Sequence, residues 1–268
     1  MLSLLTKRRL GVQDFRGFGV LSFLFYLYLY APIVVLVVLS FNANQSATVW
    51  TGFSLDWYRA AFANQALRQA AGNSLLIAVC ASVIATAIAT LAALGTSRGA
   101  KFKGLRLSMG TIMLPLVLPE IVVGVATLAL FSTLGLSLGY GNLIIAHTVF
   151  CIPFAYLPIR ARLEGLDPRL AEAAADLYAS PWKAFWKITL PLLMPGVLSG
   201  AMLAFIISMD DFVITYFVAG AGATTLPVYI FSSIRMGISP KINAISSIIL
   251  MISIAFVALS YYLGQRRR

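Results

Sequence analysis

The sequence predicts an all-α protein that crosses a membrane several times, and three observations support this fold class. Hydrophobic residues make up 60% of the 268-residue chain and charged residues only 11%, with a mean hydropathy of +0.90. That composition is too apolar for a soluble domain. Several apolar stretches reach the roughly 20 residues that a helix needs to cross a bilayer. Runs such as residues 76–94 do not alternate between apolar and polar positions, which argues against a β-barrel.

Six stretches satisfy the length requirement, and we expect them to form a single transmembrane domain over residues 1–268. The first follows a basic N-terminus, but its apolar run is too long for a signal peptide and no clear small-residue cleavage site follows it. We therefore expect a retained helix there. A polar segment at about 163–191 separates the fourth and fifth stretches. The predicted spans are about 19–41, 73–96, 109–134, 141–162, 193–217 and 243–263.

Basic residues cluster on one predicted side of the membrane, and this asymmetry explains the formal net charge of +11. The positive-inside rule places that side in the cytoplasm, together with both chain termini and the polar segment. The charge therefore reports topology and does not indicate a nucleic-acid partner. The clustered residues are Lys7, Arg8, Arg9, Arg16, Arg98, Lys101, Lys103, Arg106, Arg160, Arg162, Arg169, Lys183, Lys187, Arg266, Arg267 and Arg268.

Side chains that often carry chemistry are few and scattered. Cys80 and Cys151 each lie alone in a predicted span, so we expect small core residues rather than a disulfide or metal ligands. His147 is the one histidine of the chain, and a packed, hydrogen-bonded role is favoured over a proton relay. The sequence contains no GxxxxGK[ST] loop and no nucleophile–base set, so we expect no catalytic residues and no cofactor bound by this chain.

Three acidic residues fall within predicted spans: Glu120 in the third, and Asp210 and Asp211 in the fifth. A charge at that depth costs about 3 kcal/mol on insertion scales, so it usually faces a bundle interior or a water-filled cavity. Along straight helices, Glu120 would lie roughly 16 Å and Asp210 roughly 25 Å from the inner ends. The sequence offers no basic residue at comparable depth to pair with them. We expect these acids to line a path for a cation.

Other roles for the three acids stay open. Glu120 follows Pro119 and could hydrogen-bond backbone groups that a kink frees. Asp210 and Asp211 could cap or pair at the interface with a sister subunit. Neighbours on a helix point about 100° apart, so at most one of the two faces a pore directly. The aromatic residues that we expect to contact a cation and its aliphatic stem are Phe212, Tyr216 and Tyr229.

The polar segment has the pattern of two short amphipathic helices. The first would begin at Asp167-Pro168 and carry Glu172 and Asp176 on one face. The second would be capped by Ser180 and end at Pro191. Such helices suit a groove in a soluble partner and the lipid headgroup region equally well. The apolar face and the charged face of the second helix would be formed by Trp182, Phe185 and Trp186 and by Lys183 and Lys187.

Part of this segment resembles the EAA motif of ABC importer permeases. The matching residues are Glu172-Ala173-Ala174, Ile188, Leu190-Pro191 and Pro195-Gly196. In that family the motif is a cytoplasmic coupling helix that seats in a cleft of the ATPase subunit, and it precedes the penultimate span, as here. The resemblance implies ATPase coupling by Glu172, Ala173, Ala174, Asp176, Tyr178, Ile188, Leu190 and Pro191.

The motif departs from its family at one position. The family usually has glycine six residues after the glutamate, where this chain has Tyr178. Glycine permits a tight turn between two helices, whereas we expect tyrosine to make the turn with an ordinary backbone conformation. Its ring could extend the docking surface.

Residues 208–247 resemble the corresponding stretch of spermidine/putrescine permeases of the C type, and the chain fits their length and six-span plan. The resemblance implies one membrane half of an ATP-driven polyamine importer in a bacterial inner membrane. It also implies the partners: an ABC ATPase dimer that binds ATP with Mg²⁺, a second, homologous permease, an extracytoplasmic polyamine-binding protein and membrane lipid. ATP hydrolysis then belongs to another polypeptide, and this chain is not an enzyme.

Two other functions are compatible with the sequence. A permease of the same family could carry another small solute, although the intramembrane acids argue against an anion. An ion-driven secondary transporter or channel could use Glu120 and the two aspartates as a cation site. That function leaves the EAA-like segment unexplained, and the sequence shows no inverted repeat.

Overall fold

The computed structural model describes residues 17–45, 49–96, 102–137, 139–167, 169–235 and 240–265, and these are almost entirely helical. An isolated antiparallel β-bridge joins Asn42 and Phe53. The all-α fold class is therefore confirmed. In chain order, the helices are α1 (Phe18–Leu39), α2 (Asp56–Ala63), α3 (Gln65–Thr96), α4 (Leu105–Val117), α5 (Glu120–Thr133), α6 (Tyr140–Glu164), α7 (Arg169–Asp176), α8 (Pro181–Ala184), a π-helical turn (Phe185–Thr189), α9 (Leu190–Asp210), α10 (Val213–Val218), α11 (Leu226–Arg235) and α12 (Pro240–Gln265).

Four helices within the described ranges are long and apolar enough to cross a membrane. They are α1, α3, α6 and the continuous helix Pro181–Asp210, and the bent pair α4–α5 would make a fifth. α12 is helical over 26 residues, but its described apolar part, Pro240–Met251, falls short of the same length. The structure thus supports a helical protein with several apolar spans, and the described residues give four or five of the six predicted spans.

The third predicted span contains Pro119, and the structure breaks the helix at this proline. α4 ends at Val117 and α5 begins at Glu120, with a bend of 110° between them. Pro119 has no backbone N–H and disfavours helical geometry at the residue before it. Leu118 is accordingly extended, with φ −78° and ψ 140°. Glu120 is therefore the first residue of a helix, and a depth measured along a straight span does not apply to it.

The fifth predicted span is interrupted as well. α9 ends at Asp210, and Asp211 then takes an extended backbone conformation with φ −62° and ψ 123°. The helix starts again at Val213 and runs for six residues. The two adjacent aspartates consequently lie on either side of a helix end and not on one continuous helix.

Pro191 does not end the second helix of the polar segment, contrary to the prediction. α8 continues through the π-helical turn into α9, which gives one helix of 30 residues, Pro181–Asp210. The wider turn lets the Leu190 N–H bond to the Phe185 carbonyl, which accommodates a proline that cannot donate. The predicted start is confirmed, because the Ser180 hydroxyl accepts the Lys183 N–H at 3.3 Å.

The contacts between residues divide the chain into two compact units, and the larger unit is Gln65–Ser232. Its centre is formed by α3, α6 and α9, which pack along one another. On α9, a Cβ added at Gly200 would lie 2.7 Å from the Ala155 carbonyl oxygen of α6. Small residues let helices approach closely where lipid provides no hydrophobic driving force. The small buried residues of α3 at this centre are Ala78, Ala81, Ala85, Ala89 and Ala93.

The smaller unit comprises Met1–Asn64 and Ser233–Arg268, and α12 packs against both α1 and α2 within it. The loop after α1 folds around Asn42. Its side chain accepts the Thr51 N–H at 3.0 Å and donates to the Val49 carbonyl at 2.6 Å. The Trp57 indole donates to the Asn42 carbonyl at 2.9 Å and ties α2 to the same loop.

Some sequence predictions concern residues outside the described ranges. These are the helix start at Pro168 and part of the basic cluster, namely Lys7, Arg8, Arg9, Arg16, Arg98, Lys101, Arg266, Arg267 and Arg268.

Candidate functional site

One buried carboxylate organises the break between α9 and α10. Asp211 is 5% exposed, and it accepts the backbone N–H groups of Ile214 at 3.2 Å and Thr215 at 2.9 Å. The first N–H groups of a helix have no partner within the helix, so a side-chain oxygen there satisfies them. The Thr215 hydroxyl donates to the same carboxylate at 3.0 Å. Asp211 therefore caps the short helix α10.

A buried histidine supports this cap from a neighbouring helix. His147 of α6 is 1% exposed, and its Nε2 lies 2.9 Å from the Thr215 hydroxyl and 3.3 Å from the Asp211 carboxylate. Its Nδ1 lies 2.8 Å from the Ser208 hydroxyl of α9. His147 is thus packed and hydrogen-bonded, as the sequence favoured. Among the described residues, the side chain that meets Asp211 is thus a histidine and not a lysine or arginine.

Glu120 belongs to the same neighbourhood, although it comes from another helix. It occupies the first turn of α5 and is partly buried, and its carboxyl interacts with that of Asp211. Helix α5 packs closely on α10 here, because a Cβ at Gly124 of α5 would lie 3.2 Å from the Phe217 side chain and 3.5 Å from the Ile214 Cα of α10. Glu120 therefore adds a second carboxyl group beside the helix that Asp211 caps.

Asp210 differs from its neighbour, because its side chain is exposed at the end of α9. An aromatic cluster follows it along the chain, consisting of Phe212, Tyr216 and Phe231. The centroid of the Phe212 ring lies 4.6 Å from that of Phe231 and 5.3 Å from that of Tyr216. Tyr216 is 47% exposed. The α9–α10 break therefore presents an exposed carboxylate and exposed aromatic surface in one short stretch.

The structure groups most of the predicted path residues but not all of them. Glu120 begins the helix that packs against α10, Asp211 caps α10, and Asp210, Phe212 and Tyr216 adjoin this cap along the chain. Tyr229 lies two residues before Phe231 on α11, and residues two apart on a helix point to nearly opposite faces. Sequence reasoning missed Phe231, Ser208 and Thr215. The lone histidine in an apolar span was the one signal that a buried polar partner existed.

The EAA-like segment forms a helix, a tight turn and the start of a long helix. α7 packs against α8 and the π-helical turn, and Ala174 is buried at 4% exposure. Glu172, Ala173 and Asp176 are exposed on the opposite side. Ile188 and Leu190 are partly buried and Pro191 is exposed on the continuing helix. An acidic face therefore remains open on α7.

Tyr178 makes the turn in a left-handed conformation with φ +56°, so the expectation of an ordinary backbone conformation is wrong. The Tyr178 N–H bonds to the Ala175 carbonyl at 2.9 Å, and the Ala179 N–H bonds to the Ala174 carbonyl at 3.0 Å. These two bonds define a Schellman motif, whose left-handed position usually holds glycine. The Tyr178 side chain is 98% exposed. The turn that the family builds with glycine is therefore kept, and a ring is added to its surface.

Within the described residues, no group of three or more His, Cys, Asp or Glu side chains is arranged to hold a metal ion. The polar groups of the site are instead two carboxylates, a histidine and two hydroxyls around a helix break. The arrangement places two hydroxyls against an imidazole that also neighbours a carboxylate, and its carboxyl groups supply negative charge within the helical bundle.

Comparison with known proteins extends over nearly the whole chain. Residues 85–268 match the family of binding-protein-dependent transport system inner membrane components. The chain is 41% identical over 244 residues to the spermidine/putrescine transport system permease protein PotC of Haemophilus influenzae, covering 91% of this chain and 95% of that protein. It is 44% identical over 237 residues to the putrescine transport system permease protein PotI of Escherichia coli, covering 86% and 84%.

Two solved structures have a similar fold at low sequence identity. One is a bacterial ABC transporter involved in the import of the acidic polysaccharide alginate, with a TM-score of 0.67, 17% identity and coverage of 92% of this chain and 94% of that one. The other is an amino acid ABC transporter, with a TM-score of 0.61, 16% identity and coverage of 80% and 100%. At this identity they establish the fold alone.

These matches confirm the family that the EAA-like residues indicated. The relatives are transport permeases and not enzymes, and the matched family describes an inner-membrane component. The chain belongs to the binding-protein-dependent transport system inner membrane components and is a permease subunit of an ABC importer.

Proposed function

We propose that this chain is one membrane half of an ATP-driven importer of polyamines such as spermidine and putrescine. The observation that carries the proposal is 40–44% identity, over 86–91% of the chain, to permeases named for spermidine and putrescine transport. The site at the α9–α10 break has chemistry that suits such a cargo and gives independent support.

A polyamine is a chain of ammonium groups separated by methylenes, so its path must replace hydration at the charges and tolerate apolar stems. The exposed Asp210 carboxylate and the partly buried Glu120 carboxyl offer negative charge. The aromatic cluster of Phe212, Tyr216 and Phe231 offers ring faces, each worth about 0.5–2 kcal/mol to a cation. Asp211, whose oxygens are used within the protein, is a weaker candidate for direct contact with cargo, and Tyr229 stays a candidate on α11.

The same proposal assigns α7 and the Tyr178 turn to a separate ATPase dimer that binds ATP with Mg²⁺. The implied contacts are Glu172, Ala173, Ala174, Asp176 and Tyr178, and the downstream residues Ile188, Leu190 and Pro191 join the turn to α9. A second, homologous permease would complete the pathway, and an extracytoplasmic polyamine-binding protein would deliver cargo. In a bacterial inner membrane both termini would then be cytoplasmic. A reporter enzyme that is active only outside the cytoplasm should therefore show no activity when it is fused to the C-terminus.

Uptake by cells tests the cargo. A strain without its own polyamine uptake, expressing this chain with its partner subunits, should accumulate labelled spermidine. Unlabelled putrescine should compete and a neutral sugar should not. Asp210→Asn should lower the uptake rate several-fold because it removes the exposed carboxylate, whereas Asp56→Asn, a matched change on the exposed surface of α2, should leave the rate unchanged.

Two outcomes would count against the proposal. If the assembled complex took up no spermidine or putrescine, the polyamine cargo would be wrong while the family would stand. If Asp56→Asn lowered uptake as much as Asp210→Asn, the effect would reflect general loss of surface charge and not a path through the α9–α10 break.

A further inference from the structure

The two adjacent aspartates at the α9–α10 break occupy opposite environments. Asp210 is exposed, whereas Asp211 is 5% exposed and surrounded by donors. A sequence that reads Asp-Asp suggests two equivalent charges, and the structure separates them by the end of a helix.

The hydrogen-bond partners of Asp211 come entirely from within the protein. Its Oδ1 accepts the Ile214 N–H, and its Oδ2 accepts both the N–H and the hydroxyl of Thr215. His147 Nε2 lies 3.3 Å from the same Oδ2. An acceptor with this many donors is already satisfied, so a cargo ammonium would have to displace partners that hold the backbone.

The direction of each bond follows from the number of protons available. The Thr215 hydroxyl has one proton and donates it to Asp211, so toward His147 it can only accept. His147 therefore carries a proton on Nε2. At the other ring nitrogen, Nδ1, the Ser208 hydroxyl lies 2.8 Å away. The resulting chain runs from Ser208 of α9 through His147 of α6 to Thr215 and Asp211 at the start of α10.

This network closes a gap that the helix break opens. Unpaired backbone N–H groups are costly in a membrane, where water does not replace the missing partners. The network satisfies the start of α10 and links it to α6 and α9. It therefore fixes the direction in which α10 leaves the break, and with it the placement of Phe212 and Tyr216.

We propose that Asp211 and His147 are positioning residues that hold the α9–α10 break, and that Asp210 is the member of the pair exposed to cargo. The assignment of cargo to Asp210 rests on the proposed polyamine function. The positioning role of Asp211 and His147 rests on the hydrogen bonds and burial and does not depend on which cargo is carried.

Thiol accessibility in the assembled complex tests the difference between the aspartates. In a Cys80→Ala, Cys151→Ala background, Asp210→Cys should react with a membrane-impermeant cationic methanethiosulfonate reagent, because its side chain is exposed. Asp211→Cys should react at least ten-fold more slowly. Equal reaction at both positions, or faster reaction at position 211, would overturn the proposal.

A double-mutant cycle tests the positioning role without a new cysteine. Asp211→Asn and His147→Leu should each lower the unfolding temperature of the solubilised complex by on the order of 5 °C. Because both substitutions break one network, the unfolding temperature of the double variant should lie only slightly below that of the less stable single variant. His147→Gln keeps a donor for Thr215 and should recover much of the unfolding temperature and of the uptake rate. Additive losses of unfolding temperature would refute the network. A His147→Gln variant that unfolds at the same temperature as His147→Leu would refute it as well.

The two proposals fail separately. The wild-type complex could carry no polyamine while the Asp211/His147 cycle is non-additive and His147→Gln restores the unfolding temperature. In that case the positioning role stands and the proposed cargo is wrong. If polyamine is carried and the cycle is additive, the cargo stands and the positioning role is wrong.

Discussion

Tyr178 shows how one residue can keep a turn that its type disfavours. Its left-handed backbone costs an L-residue with a Cβ about 1–2 kcal/mol relative to glycine. The Schellman hydrogen bonds and the burial of Ala174 hold the turn despite that cost. Because the ring is exposed in this chain, it gains nothing here from packing. A contact with a partner is the simplest reason for a ring at this position.

Replacing the residue by glycine separates the turn from the ring. Tyr178→Gly should raise the free energy of unfolding by about 1 kcal/mol, because the left-handed conformation is unstrained for glycine. Ala173→Gly, at an exposed position inside α7, should lower the free energy of unfolding by about 1 kcal/mol. Thermal unfolding of the solubilised complex compares the two variants. A Tyr178→Gly variant less stable than wild type would show that the ring packs in a way this chain does not reveal.

The partnership of His147 and Asp211 illustrates what sequence could not supply at this scale. The two residues are 64 positions apart, and each looked unpaired in its own span. An acid within an apolar run indicates a polar neighbour, but only the packing of α6 against α9 and α10 identifies that neighbour as a histidine. The sequence could not show that one aspartate is buried and the other exposed, because burial depends on tertiary contacts.

At the scale of helices, α6 and α9 approach each other closely at two glycines of α9 that are four residues apart. A Cβ at Gly196 would lie 2.6 Å from the Arg162 Cβ, and one at Gly200 would lie 2.7 Å from the Ala155 carbonyl oxygen. The Arg162 guanidinium also donates to the Leu192 carbonyl at 2.9 Å. The Pro-Gly element of the EAA resemblance thus has a packing role at the base of α9.

A single methyl group should be enough to disturb this crossing. Gly200→Ala should lower the free energy of unfolding by roughly 1–3 kcal/mol, because the carbonyl that it meets belongs to a rigid helix backbone. Gly72→Ala is the matched control, since nothing lies within 4 Å of its added Cβ in α3. That change should be neutral or slightly stabilising. Equal effects at the two sites, measured by thermal unfolding, would contradict the close crossing.

Hydropathy predicted where helices exist and failed to predict where they break. α1, α3 and α6 contain their predicted spans nearly in full. The breaks at Leu118-Pro119 and at Asp211-Phe212 lie inside apolar runs, so a window average remains high across them. Conversely, Pro191 looked like a helix end, and the π-helical turn before it absorbed the missing donor. Breaks depend on which local bonds are available, and average hydropathy does not measure these bonds.

At the scale of the whole molecule, one continuous helix joins the two candidate functional regions. Pro181–Asp210 begins just after the Tyr178 turn and ends at the α9–α10 break. Thirty residues of helix extend about 45 Å, more than the hydrocarbon thickness of a bilayer. We expect a displacement of α7 and the turn to reach the carboxylates and aromatic cluster along this one helix, which contains the π-helical turn and Pro195. We expect this helix to carry the coupling between ATP hydrolysis and access to the site.

The most direct test of the account is uptake of labelled spermidine into proteoliposomes that contain the whole complex, with the binding protein outside and ATP or ADP inside. The account predicts uptake with ATP only, unchanged by a protonophore. Glu172→Lys should abolish uptake and release the ATPase on purification, whereas Asp56→Lys should do neither. Uptake that needs no ATP and collapses with the protonophore, or a Glu172→Lys variant that transports normally, would contradict the account.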